Sequence, residues 1–409
     1  MTDLRITQLD SGLTVATERV PGALSVATGV WVGVGSRDEP AQLSGVSHFL
    51  EHLLFKGTAT RSAQDISRSV DRVGGDFNAF TTKEYTAYYC RLPARHAAMS
   101  VDLLGDVLTR PALRDTDVDG ERLVILEELA MDDDSPDDVA HRTFLERLFA
   151  DHPLGRDTAG DRATVQAITA ADVRAFFETN YHSGSMVVTM AGPIDHDEAV
   201  AMVAAGFVDI RSAGERQLRT APTTSLPGTA IDDDTEQVHI VMGGPSINRG
   251  DADREALDVV NHVLGGGLSS RLFEEIRERR GLVYSVYSGI SAYADAGAFQ
   301  LYAGTQPEHA DEVIGLMQGE LRKLVTDGVT EDELDVARGY LTGAFELGLE
   351  DTGARMARNG GLLITSGSIR PIPEQVQRWA AVDADAVAAV IERVYTAPPV
   401  VVTVGPTSP

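Results

Sequence analysis

Five consecutive residues, His48 to His52 (HFLEH), have the types and the spacing of a metal-binding helix. Positions i and i+4 of a helix lie one above the other, so His48 and His52 could chelate one metal ion. Glu51 is three residues from His48 and lies beside that face, where it could contact a water molecule rather than the metal. The motif predicts metal-assisted hydrolysis. An amphipathic helix whose histidines recur by coincidence is the alternative interpretation.

A third ligand can come from the segment GERLVILEELAMDDDSP, which has a helical pattern. Catalytic zinc sites commonly combine two histidines with one glutamate and leave a fourth position for water. Glu121 and Glu128 are seven residues apart, which is two helical turns, so they share one face. Glu127 points elsewhere and is better explained as a solvated acid. The order H-x-x-E-H also matches the inverzincin motif, the reverse of the zincin HExxH.

The elements that must position these residues alternate between strand and helix patterns. A helix is predicted to begin after Ser44 and to include the whole HFLEH motif. Strand patterns precede it over residues 2–34, and long helical patterns follow the next two strands. Those two strands are predicted at about 77–82 and 85–92, and the helices at about 95–108, 117–131 and 136–149.

The two halves of the chain read as copies of each other. With an offset of 214 residues, SHFLEH aligns with NHVLGG, so that His48 falls on His262. Gly265 and Gly266 then replace the glutamate and the second histidine of the motif. This pattern indicates an ancient duplication in which the first copy alone carries the site, and a coincidence of helix and strand order is the alternative.

The length of 409 residues favours two domains. The predicted fold class is α+β, with two homologous domains that each contain a mostly antiparallel sheet packed by helices. The predicted boundaries are a catalytic domain at 1–208, a polar, proline- and glycine-rich linker at 209–236, and a homologous domain at 237–409.

The charge restricts the partners. The chain has 62 acidic residues against 35 lysines and arginines, a formal net charge of −27. This charge argues against nucleic acid and against an anionic membrane surface, and it favours cationic peptides, although solubility alone explains it as well. The single cysteine excludes an internal disulfide. Because no signal-peptide pattern and no long apolar stretch are visible, we expect a cytoplasmic protein.

Three motifs in order resemble the pitrilysin/insulinase family of zinc metallopeptidases: HFLEHLLFKGT, GGDFNAFTTKEYTAYY and ERLVILEEL. The resemblance covers nearly the whole chain. It is greatest to the short branch that contains the β subunit of the mitochondrial processing peptidase and its bacterial homologues. It implies a zinc-dependent endopeptidase that hydrolyses unfolded or extended peptides, with basic, presequence-like segments as candidate substrates.

The same resemblance implies roles for individual residues. In that family, zinc is bound by the two motif histidines and by a glutamate 76 residues beyond the second, and 52 + 76 is Glu128 here. His48, His52 and Glu128 are therefore the implied ligands of one Zn²⁺ per chain. Glu51 is the implied general base, and Glu121 matches a glutamate that supports the ligands.

Further implied residues contact the substrate. Asn78 and Ala79 would bind the substrate backbone at an edge strand, while Arg277 and Tyr284 would stabilise the substrate and the oxyanion. From the residues alone, Asn78 is explained almost as well as a turn residue, whereas Arg277 is better explained as an exposed helix residue and Tyr284 as a strand residue.

The resemblance also has consequences for assembly. Longer family members carry four such domains, so this chain would form half of a clamshell and would dimerise. A homodimer is the first expectation, and a heterodimer is possible in the same architecture. The alternative function is a non-catalytic scaffold of the respiratory-complex core-subunit type. Those relatives have lost ligands that this chain keeps.

Overall fold

The computed structural model describes residues 3–212, 214, 218–223 and 225–406. The chain forms two compact units. The first consists of Met1–Leu129, Arg156–Leu218 and Gly348–Ile369, and the second consists of Ala130–Gly155, Arg219–Leu347 and Arg370–Pro409. Each unit contains one β-sheet packed by helices, which confirms the α+β fold class.

The strands are β1 Asp3–Gln8, β2 Thr14–Arg19, β3 Ser25–Val32, β4 Asp76–Thr81, β5 Thr86–Pro93, β6 Met186–Gly192, β7 Thr229–Ile231, β8 Val238–Ser246, β9 Val283–Ala292, β10 Gly297–Thr305 and β11 Val400–Val404. The helices are α1 Val46–Leu54, α2 Ala63–Asp71, α3 Ala97–Thr109, α4 Asp115–Asp133, α5 Pro136–Leu148, α6 Arg162–Ala167, α7 Ala170–Asn180, α8 His196–Gly206, α9 Arg254–Gly265, α10 Ala310–Asp327, α11 Glu331–Gly348, α12 Thr352–Ser366, α13 Ile372–Ala380 and α14 Ala384–Val394. Among the described residues, no helix is both long and apolar enough to cross a membrane.

The sheet of the first unit has the strand order β1-β2-β6-β3-β5-β4. The β2–β6 pair is parallel and its other pairs are antiparallel. The central strands β3 and β6 are almost wholly buried because helices cover both faces, and their sequences are accordingly mostly apolar. In contrast, β4 lies at the sheet edge and alternates between exposed and half-buried residues.

The sheet of the second unit repeats this arrangement in the order β7-β11-β8-β10-β9. The β7–β11 pair is parallel, like β2–β6, and the remaining pairs are antiparallel. Without β1, the first sheet has the same order and the same strand directions. The predicted mostly antiparallel sheets are therefore confirmed, and the shared topology is what a duplicated domain produces.

The compact units depart from the linear division at 208 and 237 in two segments. Helix α5 packs on β8 and β11 of the second unit, although it precedes the linker. Helix α12 packs on β3 and β6 of the first unit, although it lies in the C-terminal half. Local sequence pattern cannot predict such an exchange, because the apolar face of a helix does not specify the sheet against which it packs. The predicted linker 209–236 also contains β7, and its residues 213, 215–217 and 224 lie outside the described residues.

Helix α12 is held on the first sheet by a close glycine contact. Trp31 of β3 is 2% exposed and donates a hydrogen bond from Nε1 to the hydroxyl of Thr189, at 3.0 Å. A Cβ atom at Gly360 would lie 1.7 Å from that Nε1 atom, whereas a Cβ at Gly361 would meet no atom within 4 Å. Gly360 therefore allows the helix backbone to approach the tryptophan ring.

This contact gives a paired prediction. Gly360→Ala is expected to lower the free energy of unfolding by about 1–3 kcal/mol, because the added methyl overpacks the interface. Gly361→Ala, one residue later in the same helix, is expected to raise it by up to about 1 kcal/mol through helix propensity. Urea unfolding of both variants measures the difference, and equal effects would contradict the assigned contact.

Candidate metal centre

The start of α1 is fixed by a buried carboxylate. The two oxygens of Glu39 accept hydrogen bonds from the backbone N–H groups of Gly45 and Ser47, each at 2.7 Å. Burial raises the pKa of Glu39 to about 7, and the two amide hydrogen bonds oppose that rise. Gly45 has a φ of +94°, and a Cβ there would lie 2.4 Å from the carbonyl oxygen of Ala159. These contacts set the register of the HFLEH motif.

Helix α1 buries one face and presents the motif on the other. Phe49, Leu50 and Leu53 are within 1% of full burial in the core of the first unit. The side chains of His48 and His52 are 20% and 18% exposed, so solvent reaches them. The apolar periodicity of the helix therefore decides which way the histidines face.

Three potential ligand atoms converge beside this face. Nε2 of His48 lies 3.3 Å from Nε2 of His52. Oε2 of Glu128, on α4, lies 3.5 Å from Nε2 of His52 and 3.9 Å from Nε2 of His48. A metal ion could be held by three or more His, Cys, Asp or Glu side chains whose donor atoms lie within 4.8 Å of one another. In the described part of the chain, these three residues form the one group of this kind.

The donor set fits zinc. Tetrahedral coordination with zinc–nitrogen bonds of about 2.0–2.1 Å places two ligand nitrogens about 3.3–3.4 Å apart, the spacing of the two Nε2 atoms. Burial, and to a lesser extent the neighbouring His52, lower the pKa of His48 to about 4. The His48 ring is therefore neutral at neutral pH and has a lone pair to donate. Two imidazoles, one carboxylate and a partly exposed face match a site with an open position.

Glu121 supports His52 from behind. Its Oε2 lies 3.2 Å from Nδ1 of His52, and its side chain is 8% exposed. Its other oxygen forms an ion pair with Lys56, which follows α1. A carboxylate on the far nitrogen fixes the ring orientation and the tautomer of a metal ligand. Helical spacing alone did not separate these two glutamates. In the structure, Glu128 faces both histidines, and Glu121 contacts one ring from the other side.

Glu51 lies outside the donor group. Its Oε2 accepts a hydrogen bond from the hydroxyl of Thr81, at 2.5 Å. Burial raises the pKa of Glu51, and the Thr81 hydrogen bond opposes that rise. A carboxylate with a raised pKa beside the ligands has the proton affinity that a general base needs.

Comparison with known proteins identifies the family of the chain. The model of the insulinase family, peptidase family M16, matches residues 14–162, and the model of the peptidase M16 inactive domain matches residues 167–341. An uncharacterized zinc protease of Streptomyces coelicolor is 42% identical over 415 residues, covering 98% of this chain and 90% of the relative. The chain belongs to peptidase family M16.

Other M16 relatives share most of the chain. An uncharacterized zinc protease of Bacillus subtilis is 34% identical over 386 residues, covering 94% of each chain. The solved structure of a protease from Helicobacter pylori superposes with a TM-score of 0.93 at 22% identity, covering 99% of this chain and 100% of that one. A peptidase M16 inactive domain from Pseudomonas fluorescens has the same TM-score at 21% identity, covering 99% and 98%. These structural similarities establish the M16 fold.

Arg277 and Tyr284 belong to the second unit and contact each other there. The Arg277 guanidinium lies 5.1 Å from the ring centre of Tyr284 and 4.7 Å from that of Phe273. Arg277 lies in a π-helical turn, Phe273–Glu278, and such turns are frequent at functional sites. Tyr284 is 81% exposed at the start of β9, so its hydroxyl is accessible.

Asn78 and Ala79 lie within β4, the edge strand of the first sheet. Asn78 is exposed, and its Oδ1 accepts a hydrogen bond from the N–H of Ala79 at 2.9 Å. Within the described residues, β4 pairs with β5 alone, and an edge strand of this kind can accept a further strand.

Two residues at the site were missed by sequence reasoning. Lys56 follows His52 by four residues, so continued helical spacing would have placed it near Glu121. Thr81 follows Ala79 by two residues, and strand alternation places both on one side of β4. Its contact with Glu51 joins positions 30 residues apart, and no local sequence pattern predicts that contact.

Proposed function

We propose that this chain is a zinc-dependent endopeptidase that hydrolyses extended peptides. The observation that carries the proposal is the convergence of His48, His52 and Glu128 beside a glutamate, Glu51, that is held by a separate hydrogen bond. The names of the relatives, uncharacterized zinc proteases, support the same conclusion. A non-catalytic scaffold would not require the ligands and the base together.

The proposed mechanism assigns one task to each side chain. His48, His52 and Glu128 would hold zinc, which when bound would supply a Lewis acid that lowers the pKa of a water molecule and polarises the scissile carbonyl. Glu51 accepts the proton of the attacking water and returns it to the leaving amine, so that the carboxylate is regenerated in each cycle. Glu121 keeps the His52 ring in its ligating orientation.

The proposed substrates are unfolded or extended peptides with a preference for positive charge. The free edge of β4 can pair with an extended backbone, and Asn78 and Ala79 lie within that edge. A net charge of −27 attracts cationic segments over a distance of about 10 Å at 0.1 M salt. The expected absence of nucleic acid and membrane partners and the expected cytoplasmic location stay predictions.

Cleavage of a quenched fluorogenic peptide tests the proposal. A peptide with several arginines is expected to be cleaved, a zinc chelator is expected to abolish cleavage, and stoichiometric Zn²⁺ is expected to restore it. The same peptide with glutamine in place of arginine is expected to have a lower kcat/KM. Added salt is expected to reduce the difference in kcat/KM between the two peptides, because it screens the charges. A protein that binds no zinc and shows no chelator-sensitive cleavage would be a scaffold rather than a peptidase.

We further propose a dimer, by preference a homodimer, in which Arg277 and Tyr284 of the partner subunit stabilise the substrate and the oxyanion. The contact between these residues and the exposure of Tyr284 support the role, because the pair is preformed and accessible. The heterodimer remains the alternative assembly.

Complementation tests the proposed dimer. An equal mixture of Arg277→Ala and Glu51→Gln subunits, exchanged and reassembled, is expected to recover about a quarter of wild-type activity. Half of the dimers are then mixed, and each mixed dimer has one site with an intact Glu51 and an intact Arg277 from the partner. No recovery after proven subunit exchange would contradict action between subunits.

A further inference from the structure

The contact between Thr81 and Glu51 joins the proposed base to the edge strand. Thr81 is the last residue of β4, and its hydroxyl donates to Oε2 of Glu51 at 2.5 Å. Glu51 lies between two proposed zinc ligands in the sequence, yet it is not among the residues whose donor atoms converge. Its carboxylate is directed to the strand instead.

The turn that follows Thr81 is closed by hydrogen bonds of its own. Thr82 closes this turn: its hydroxyl donates to the carbonyl of Tyr85 at 2.8 Å and accepts from the N–H of Tyr85 at 3.1 Å. The turn is also tied to the loop before α1 by a buried ion pair between Arg37 and Glu84, with nitrogen and oxygen 2.7 Å apart. These bonds fix the turn at the end of β4, and the one side-chain hydrogen bond that Thr81 forms among the described residues is the bond to Glu51.

A carboxylate beside a metal has two competing uses. As a ligand it occupies the open position that a catalytic zinc site keeps for water, and as a base it must stay off the metal. A hydrogen bond from a neighbouring hydroxyl to one carboxylate oxygen favours the second use. If the carboxylate moved to the metal, the half-buried hydroxyl would lose its hydrogen-bond acceptor. The arrangement at Glu51 has this form.

We infer that Thr81 is a positioning residue that keeps the Glu51 carboxylate out of the ligand set of the metal and aligned as a base. The inference rests on the proposed zinc site and adds a residue to it. Ala79 and Thr81 lie two residues apart on the same side of β4, so the strand that would hold the substrate also sets the position of the base.

Cobalt(II) substitution provides the test, because the visible absorption of Co²⁺ weakens as its coordination number rises. In Thr81→Val, Glu51 is free to join the ligands, so we expect a weaker cobalt band than in the wild type. We also expect kcat to fall about 10- to 100-fold with KM changed less than about threefold, because the base is misplaced while peptide binding remains. In Thr81→Ser, which keeps the hydroxyl, both the band and kcat are expected to return toward wild type.

Two controls separate positioning from a general structural effect. Thr82→Val removes the neighbouring hydroxyl and weakens the turn, but it is expected to keep the wild-type cobalt band. Adding Thr81→Val to Glu51→Gln is expected to leave the band of the single variant unchanged, because an amide is a poor ligand. Thr81→Val with a wild-type band, or equal effects of Thr81→Val and Thr81→Ser, would overturn the inference. A wild-type protein that takes up neither Co²⁺ nor Zn²⁺ would instead overturn the proposed function.

Discussion

Glu51→Gln is expected to lower kcat by about 10²- to 10⁴-fold while the zinc content stays at one per chain. The amide keeps the shape of the side chain and can still accept from the Thr81 hydroxyl, but it cannot take the proton of the attacking water. Zinc is retained because the donor atoms that converge belong to His48, His52 and Glu128. Peptide hydrolysis and metal analysis on the same preparation measure both quantities.

Glu127→Gln is the matched control for this variant. Glu127 is an exposed glutamate of α4, so its substitution makes the same change of charge beside the site without touching the base. Its activity is expected to equal that of the wild type within about twofold, since surface substitutions rarely matter. Activity retained in Glu51→Gln would refute the role of the base, and zinc lost in that variant would place Glu51 among the ligands.

Glu128→Gln is expected to weaken zinc binding by at least about 100-fold. Loss of a residue that only supports a metal ligand weakens binding by up to about 100-fold, so loss of a ligand itself is expected to cost at least as much. The carboxylate oxygen of Glu128 lies 3.5 Å from Nε2 of His52, where it can complete the donor set. A neutral amide supplies a weaker oxygen donor and leaves the site with one more positive charge. Competition with a chromogenic chelator measures the affinity without using catalysis.

The neighbouring Glu127→Gln again provides the comparison. The two glutamates are adjacent on one helix, carry the same charge and differ in direction: Glu128 faces the histidines and Glu127 faces solvent. Equal losses of affinity in the two variants would indicate a long-range charge effect, and an unchanged affinity in Glu128→Gln would remove it from the ligand set.

Local periodicity made much of the fold predictable. Strand alternation and apolar helical spacing located α1, α4, β4 and β5 to within a few residues. The similarity of the two halves anticipated the repeated strand order of the sheets. The units themselves were less predictable, because α5 and α12 each pack on the sheet of the other half. Such an exchange depends on contacts like the one between Gly360 and Trp31. Neither residue by itself predicts that contact.

The sequence by itself determined the chemistry of α1. Spacing of four residues on a helix places His48 and His52 together wherever the helix lies, because helical geometry is local. Residue spacing alone did not decide which partners meet that helix: the family resemblance implied the two glutamates, and the tertiary structure brings them and Thr81 into contact with it. It directs Glu128 to both histidines, Glu121 to the back of one ring, and Thr81 to Glu51. These contacts cross 69 to 80 residues of chain for the glutamates and 30 for Thr81. They are set by how α4 and β4 pack against α1, and packing of that kind has no local code.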